Sequence, residues 1–145
     1  MKKNIFKFIL AFSIIAICFA ILIFRSHTKK VNKLEAQKVV ISYLDSLSKK
    51  DLNGIKEAST PKWSDNFTND SIDTLDKTLK SAKLLNSEIK ETYKNRILIA
   101  ADVELICYDN SSPIGDWIPG KSISEKSFEL IKVDENWKIN DWSSY

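Results

Sequence analysis

The sequence predicts an α+β protein with an N-terminal transmembrane helix ahead of a domain in which helices cover one face of a curved antiparallel sheet. Residues 5–24 are almost uniformly apolar, and apolar residues then recur at helical spacing to about residue 79. Beyond residue 82 apolar and polar residues alternate. Helices followed by hairpin-linked strands are typical of α+β domains.

Residues 5–24 have the length and composition of a membrane anchor. Only Lys7 and Ser13 interrupt the apolar run, and a helix of this length rises about 30 Å, the hydrocarbon thickness of a bilayer. Cleavage after Ala20 would leave a mature chain that begins with four large apolar residues. Lipidation of Cys18 would require a small residue where Ile17 stands. An uncleaved anchor is therefore favoured over both alternatives.

Three parts are predicted: a cytoplasmic tail and transmembrane anchor (1–27), a basic connector (28–33) and the α+β domain (34–145). Seven of the 22 basic residues and none of the 19 acidic ones precede residue 34, so the domain has a net charge of −4. Its charge argues against a nucleic-acid partner. Basic residues flank both ends of the anchor, but the short N-terminal tail favours a single-pass cell-membrane protein with its domain outside the cytoplasm.

The helical part of the domain begins with residues 35–49, which carry one apolar stripe formed by Ala36, Val40, Tyr43, Leu44 and Leu47. Asp51 is a suitable N-cap for a second helix that ends near Ala58, and Pro61 prevents its continuation. The polar stretch around Trp63 and Phe67 is typical of turns. A third helix is predicted over residues 71–79.

Strands are predicted over residues 82–89, 96–108, 123–133 and 137–142. The second strand has the clearest alternation, with one face formed by Ile97, Ile99, Ala101, Val103, Leu105 and Cys107. Cys107 is accordingly interpreted as a small core residue. In the last strand, Trp137 and Trp142 are expected on opposite faces.

The chain resembles the nuclear transport factor two-like superfamily, in which helices close over a bent sheet to form a cone. The resemblance rests on the first helix, on Lys50-Asp51-Leu52 and on the two terminal strands, Phe128–Ile131 and Trp137–Trp142. The segment Leu79–Leu84 and the Trp-Lys-Ile-x-Asp-Trp ending are also similar to a bacterial family of membrane-tethered domains of unknown function, number four-eight-two-nine. The resemblance implies a cone-shaped domain, and it implies fold more than activity.

The residue types argue against common catalytic sites. The single histidine, His27, lies beside the anchor, which leaves the domain without a hydrolytic triad or a histidine zinc site, and no metal or cofactor is predicted. Asp102, Glu104 and Tyr108 share one strand face and could form a pocket with a carboxylate base. The alternative, a solvated sheet face, is favoured because alternation usually separates core from water.

Trp117 and Ile118 lie in a loop rich in proline and glycine, where large apolar side chains have no periodic reason to be buried. They could anchor a protein partner, or the loop could fold back over the open end of the cone.

The favoured hypothesis is a membrane-anchored, extracytoplasmic binding or interaction module without catalytic activity. One alternative is a small-molecule-binding or enzymatic cone that uses the carboxylate pair. The other is an assembly factor of a conjugative secretion system, because such factors join one anchor helix to a similar cone.

Overall fold

The computed structural model describes residues 2–113 and 117–144, except for the side chains of residues 2–16, 18, 24–25 and 27–32. The chain divides into two compact units, Met1–Leu34 and Glu35–Tyr145. Helix α1 (Lys2–Lys49) includes the predicted connector, because residues 28–33 contain no proline or glycine that would end a helix. Most side chains of the predicted anchor lie outside the described residues. Within the part of the chain that the structure describes, no helix contains an apolar stretch of the length that a membrane span requires.

Short helices follow α1 in the second unit: α2 (Leu52–Ala58), α3 (Pro61–Ser64) and α4 (Asn69–Thr78). The predicted cap of α2 is confirmed, since the Asp51 carboxylate accepts a hydrogen bond from the Gly54 N–H at 3.1 Å. The prediction of turns around Trp63 was wrong in part. Thr60 caps α3 by accepting from the Trp63 N–H, and Pro61 occupies the first helical position, where its missing N–H costs nothing.

The sheet consists of β1 (Leu79–Thr92), β2 (Arg96–Cys107), β3 (Gly120–Val133) and β4 (Asn136–Ser144). The strands lie in sequence order and every neighbouring pair is antiparallel. β1 extends beyond the predicted residues 82–89 at both ends, because backbone pairing with β2 overrides its weak alternation. A two-residue turn joins β3 to β4, and its residues Asp134 and Glu135 both have positive φ, as a type I′ turn requires.

The strand pairing is interrupted by register shifts. The register between β1 and β2 shifts at Lys80, Leu85 and Lys90, and the register between β3 and β4 shifts at Asn140. Each extra residue bends its strand and increases the local twist.

The core lies between the second half of α1 and one face of the sheet. The predicted stripe on α1 and the predicted face of β2, including Cys107, are both buried, which confirms the two periodicities. Burial raises the pKa of the Cys107 thiol, consistent with a core position. Ser48 holds α1 against β1, because its hydroxyl accepts a hydrogen bond from the Ala82 N–H at 2.8 Å. The domain is therefore an α+β fold of helices on a four-stranded antiparallel sheet.

Candidate functional site

A lysine lies on the core face of the sheet. Lys126, Phe128 and Leu130 occupy every second position of β3 and therefore lie on the same face. Only 2% of the surface of Lys126 is exposed. Its neighbour on β2 is Ala101, whose small side chain leaves room for the long one. The Lys126 Nζ donates a hydrogen bond to the Ser144 Oγ at 2.8 Å and lies 5.3 Å from the centre of the Trp142 ring. A cation that is buried in this way is uncommon, because charged groups are costly to remove from water.

Trp142 reaches the same face because of the bulge in β4. Leu130 pairs with Ile139 but Glu129 pairs with Asp141, which makes Asn140 the extra residue. One added residue reverses the in-and-out alternation beyond it. Trp142 consequently pairs with the buried Phe128, at 5.3 Å between ring centres. The prediction that Trp142 and Trp137 occupy opposite faces was wrong, since strict alternation does not hold across a bulge.

Aromatic side chains from α1, α3 and the following turn form a cluster that reaches Trp142 through Tyr43. Tyr43 contacts both Phe67 and Trp142 edge to face, at 6.4 and 5.8 Å between ring centres. The Trp63 Nε1–H donates to the Tyr43 hydroxyl at 3.1 Å. Burial raises the pKa of Tyr43 well above its usual value, and the hydrogen bond from Trp63 opposes that rise only in part. Tyr43 is therefore a neutral, fixed member of this cluster at physiological pH.

A cavity of about 460 Å³ opens beside the cluster, between α4 and the end of β4. Its apolar walls are formed by Phe67, Leu75, Trp117 and Trp142. Ser71, Thr74, Thr78, Ser143 and Ser144 add hydroxyl groups. Lys126 is the one charged residue among the described residues of the lining. We call this space the aromatic cavity. Its volume and its mixture of apolar walls with a few polar groups are typical of small-molecule sites.

Two other concavities of the domain have similar volumes but fewer aromatic walls. One, of about 520 Å³, has Glu35, Glu57 and Glu135 in its lining together with Trp137. The other, of about 530 Å³, is lined mainly by polar side chains of α4 and of the segment after β2. Apolar surface supplies most of the affinity for small organic ligands, so the aromatic cavity is the stronger candidate.

The residues that were predicted to form a carboxylate pocket lie on the face of the sheet opposite the core, at separate positions. Glu104 forms an ion pair with Lys121 at 2.5 Å. Asp102 lines a depression of about 80 Å³, whereas Tyr108 lines the larger polar concavity beside Thr78. The Tyr108 ring lies under the Lys80 Nζ, at 5.1 Å from its centre. Asp102 and Tyr108 therefore line different concavities.

The predicted interaction loop separates into two environments. Trp117 is half-buried, lines the aromatic cavity and packs edge-on against Trp142 at 5.9 Å. Ile118 faces solvent with 49% of its surface exposed. A protein partner for this loop stays a prediction.

Sequence reasoning did not identify Lys126 as a site residue, although a signal existed. Lys126 has the same parity as Phe128 and Leu130, and alternation therefore assigns all of them to one face. Trp142 had no comparable signal, because nothing in its local sequence marks Asn140 as the bulge.

Comparison with known proteins supports the fold. A nuclear transport factor 2-like superfamily protein from Salmonella enterica serovar Typhimurium superimposes with a TM-score of 0.57 at 19% identity, over 81% of this chain and 92% of that one. A protein of unknown function with a cystatin-like fold from Nostoc punctiforme superimposes with a TM-score of 0.56 at 12% identity, over 75% of this chain and 86% of that one. A proposed scytalone dehydratase from Novosphingobium aromaticivorans superimposes with a TM-score of 0.57 at 13% identity, over 83% of this chain and 91% of that one.

A scan against protein-family models and a search of curated proteins found no match. The resemblance to family four-eight-two-nine therefore stays a prediction. At these identities the structural likenesses establish fold and not activity. The domain formed by residues 35–145 has the helix-on-sheet fold of the nuclear transport factor 2-like and cystatin-like proteins.

Proposed function

We propose that this protein is a membrane-anchored receptor domain that binds a small ring-containing molecule in the aromatic cavity and acts by binding rather than by turnover. The observation that supports it most is the cavity itself, with aromatic rings from the loop before β3, from β4 and from the turn before α4 in its walls. Rings of this kind bind flat apolar molecules through edge and face contacts.

The composition of the cavity favours binding over catalysis. General acid–base chemistry needs a group that exchanges protons near neutral pH, most often histidine or a carboxylate. The described residues of the lining comprise apolar side chains, hydroxyl groups and one lysine. Asp102 and Glu104, the carboxylates that the sequence suggested, lie on the other face of the sheet. The shared fold with a proposed scytalone dehydratase supports a cavity that accepts small molecules.

Filling the cavity tests the proposal. Thr74→Trp places an indole in the lining from the middle of α4 and is expected to weaken binding of 2-naphthamide at least about tenfold, because lost contacts of 1.4 kcal/mol correspond to that factor. Saturable quenching of tryptophan fluorescence in the full-length chain, with empty micelles as the blank, measures the affinity. Asp73→Trp adds the same group at an exposed position of α4 and is the matched control. Equal affinity in both variants would contradict the proposal.

The anchor is supported by the apolar run of residues 5–24 and by the basic residues on both sides of it. A retained anchor would hold the binding domain at the outer surface of the membrane. The full-length protein is expected to remain in the membrane pellet after washing with alkaline carbonate, and added protease should reach the domain in intact cells. Release of the protein into the soluble fraction would contradict this part of the proposal.

A further inference from the structure

We infer that the ligand of the aromatic cavity has a second, neutral and hydroxyl-rich part, such as a sugar ring, which lies in the polar concavity next to that cavity. This concavity, of about 530 Å³, lies between α4 and the segment after β2, and we call it the polar cleft. The ligand would then be an aryl glycoside or a compound of similar chemistry. The inference rests on the proposed binding function and adds the chemical class of the ligand.

The aromatic cavity and the polar cleft share part of their walls. Thr74 and Thr78 line both spaces. They lie four residues apart on α4, so their side chains occupy the same face of the helix. The two spaces are therefore adjacent, with an apolar surface on one side of the shared threonines and a polar surface on the other. A ligand that packs its ring in the aromatic cavity could thus extend into the polar cleft.

Thr78 is placed to bind such a ligand where the two spaces meet. Only 5% of its surface is exposed, and the structure gives its hydroxyl no hydrogen-bond partner among the described residues. The Thr74 hydroxyl, by contrast, donates a hydrogen bond to the Asp70 carbonyl oxygen at 2.9 Å. Buried polar groups in folded proteins are nearly always hydrogen-bonded, because a lost bond to water is costly. A ligand oxygen beside Thr78 would supply the missing partner.

The composition of the polar cleft favours a neutral group with many hydroxyls. Every described residue of its lining has a polar side chain, and five of them carry a hydroxyl. Asp76 and Lys77 have opposite charges, so the described lining does not favour an ion of either sign. A sugar hydroxyl both donates and accepts hydrogen bonds. The Asp76 carboxylate, the Asn110 amide and the hydroxyl groups of the lining can satisfy both roles.

The two sides of the polar cleft are held together by hydrogen bonds. The Tyr108 N–H, at the end of β2, donates to the Thr78 carbonyl oxygen at 2.9 Å. The Tyr108 carbonyl oxygen accepts from the Ser111 N–H at 3.0 Å and from the Ser111 hydroxyl at 2.7 Å. These bonds fix the segment after β2 against α4. A site that is formed before binding loses less entropy when the ligand enters.

A matched pair of ligands tests the inference. 2-Naphthyl β-D-glucoside and 2-naphthol have the same aromatic part and differ in the sugar, and both are neutral at pH 7. The full-length wild-type protein is expected to bind the glucoside about tenfold more tightly, because two hydrogen bonds of ordinary net strength correspond to about that factor. Isothermal titration calorimetry, with empty micelles as the blank, measures both affinities.

Variants of the polar cleft test where the sugar lies. Asp76→Ala combined with Asn110→Ala should abolish the preference for the glucoside and leave 2-naphthol binding within about twofold. Both residues are exposed, so their replacement should not prevent folding. The matched control combines Asp73→Ala with Asp109→Ala, which are exposed neighbours outside the described lining. It should behave as the wild type.

The outcomes separate this inference from the proposed function. Binding of the glucoside that is no tighter than that of 2-naphthol would overturn the inference and leave the binding function standing. Saturable binding of neither compound would overturn both. If the variant with Asp76 and Asn110 replaced still prefers the glucoside tenfold, the sugar does not lie in the polar cleft and the inference fails.

Discussion

Replacing Val103 with aspartate is expected to lower the free energy of unfolding by more than about 4 kcal/mol at neutral pH, because it places an unpaired carboxylate in the core. Val103 is fully buried and lies at the centre of the core face of β2. Urea denaturation of the full-length protein measures the change. Asp102→Asn, one residue away on the other face, is the control and should change stability by less than about 1 kcal/mol.

The loss should depend on pH in a specified direction. Burial raises the pKa of the introduced carboxyl above its value in the unfolded chain, so the folded state retains a proton that the unfolded state releases. The destabilisation is then fully present above the folded pKa and shrinks as the pH falls toward about 4. Val103→Asn introduces no titratable carboxyl group. Its free energy of unfolding, measured over the same pH range, therefore gives the pH dependence of the rest of the chain, which is subtracted from that of Val103→Asp. A difference between the two variants that does not change with pH would contradict burial of residue 103.

Replacing Trp142 with alanine is expected to reduce stability and ligand binding together. The indole contacts Tyr43, Trp117 and Phe128, and its removal should cost about 3 kcal/mol of the free energy of unfolding. Because the same ring lines the aromatic cavity, binding of 2-naphthamide should weaken by at least about tenfold. Urea denaturation and fluorescence titration measure the two effects.

Trp142→Phe keeps a ring against Phe128 and is the control for Trp142→Ala. It should recover most of the stability and part of the binding. Loss of stability without loss of binding in Trp142→Ala would place the ligand elsewhere in the domain.

The periodic elements of the domain could be predicted from the sequence, because the pattern of buried residues in each element follows the period of that element alone. The stripe from Ala36 to Leu47 and the face from Ile97 to Cys107 each repeat with the period of a single helix or strand, and both are buried as expected. Asp51 was identified as a cap because its chemistry is local. The short helix at Pro61–Ser64 was missed because its cap, Thr60, lies in a segment whose overall composition favours turns.

The aromatic cavity could not be predicted, because its residues come together through tertiary structure. Trp142 faces the cavity only because β4 has an extra residue at Asn140, and the bulge is visible only in the pairing with β3. Trp117 is placed by a loop whose sequence left two interpretations open. Lys126 was the exception, because it lies two positions before Phe128 and alternation assigns both residues to the core face. Only the rarity of buried lysine argued against a core position for Lys126.

The shifts of register in β1 have a consequence for the protein in a crowded cell. β1 lies at one border of the sheet, and an uninterrupted border strand can template the addition of strands from other molecules. Its pairing with β2 is offset at Lys80, Leu85 and Lys90, so a foreign strand would meet irregular spacing. At the other border, the backbone of Ser59 and Thr60 already pairs with the edge of β4 at Ile139. Part of each border of the sheet is thus unsuited to the addition of a foreign strand.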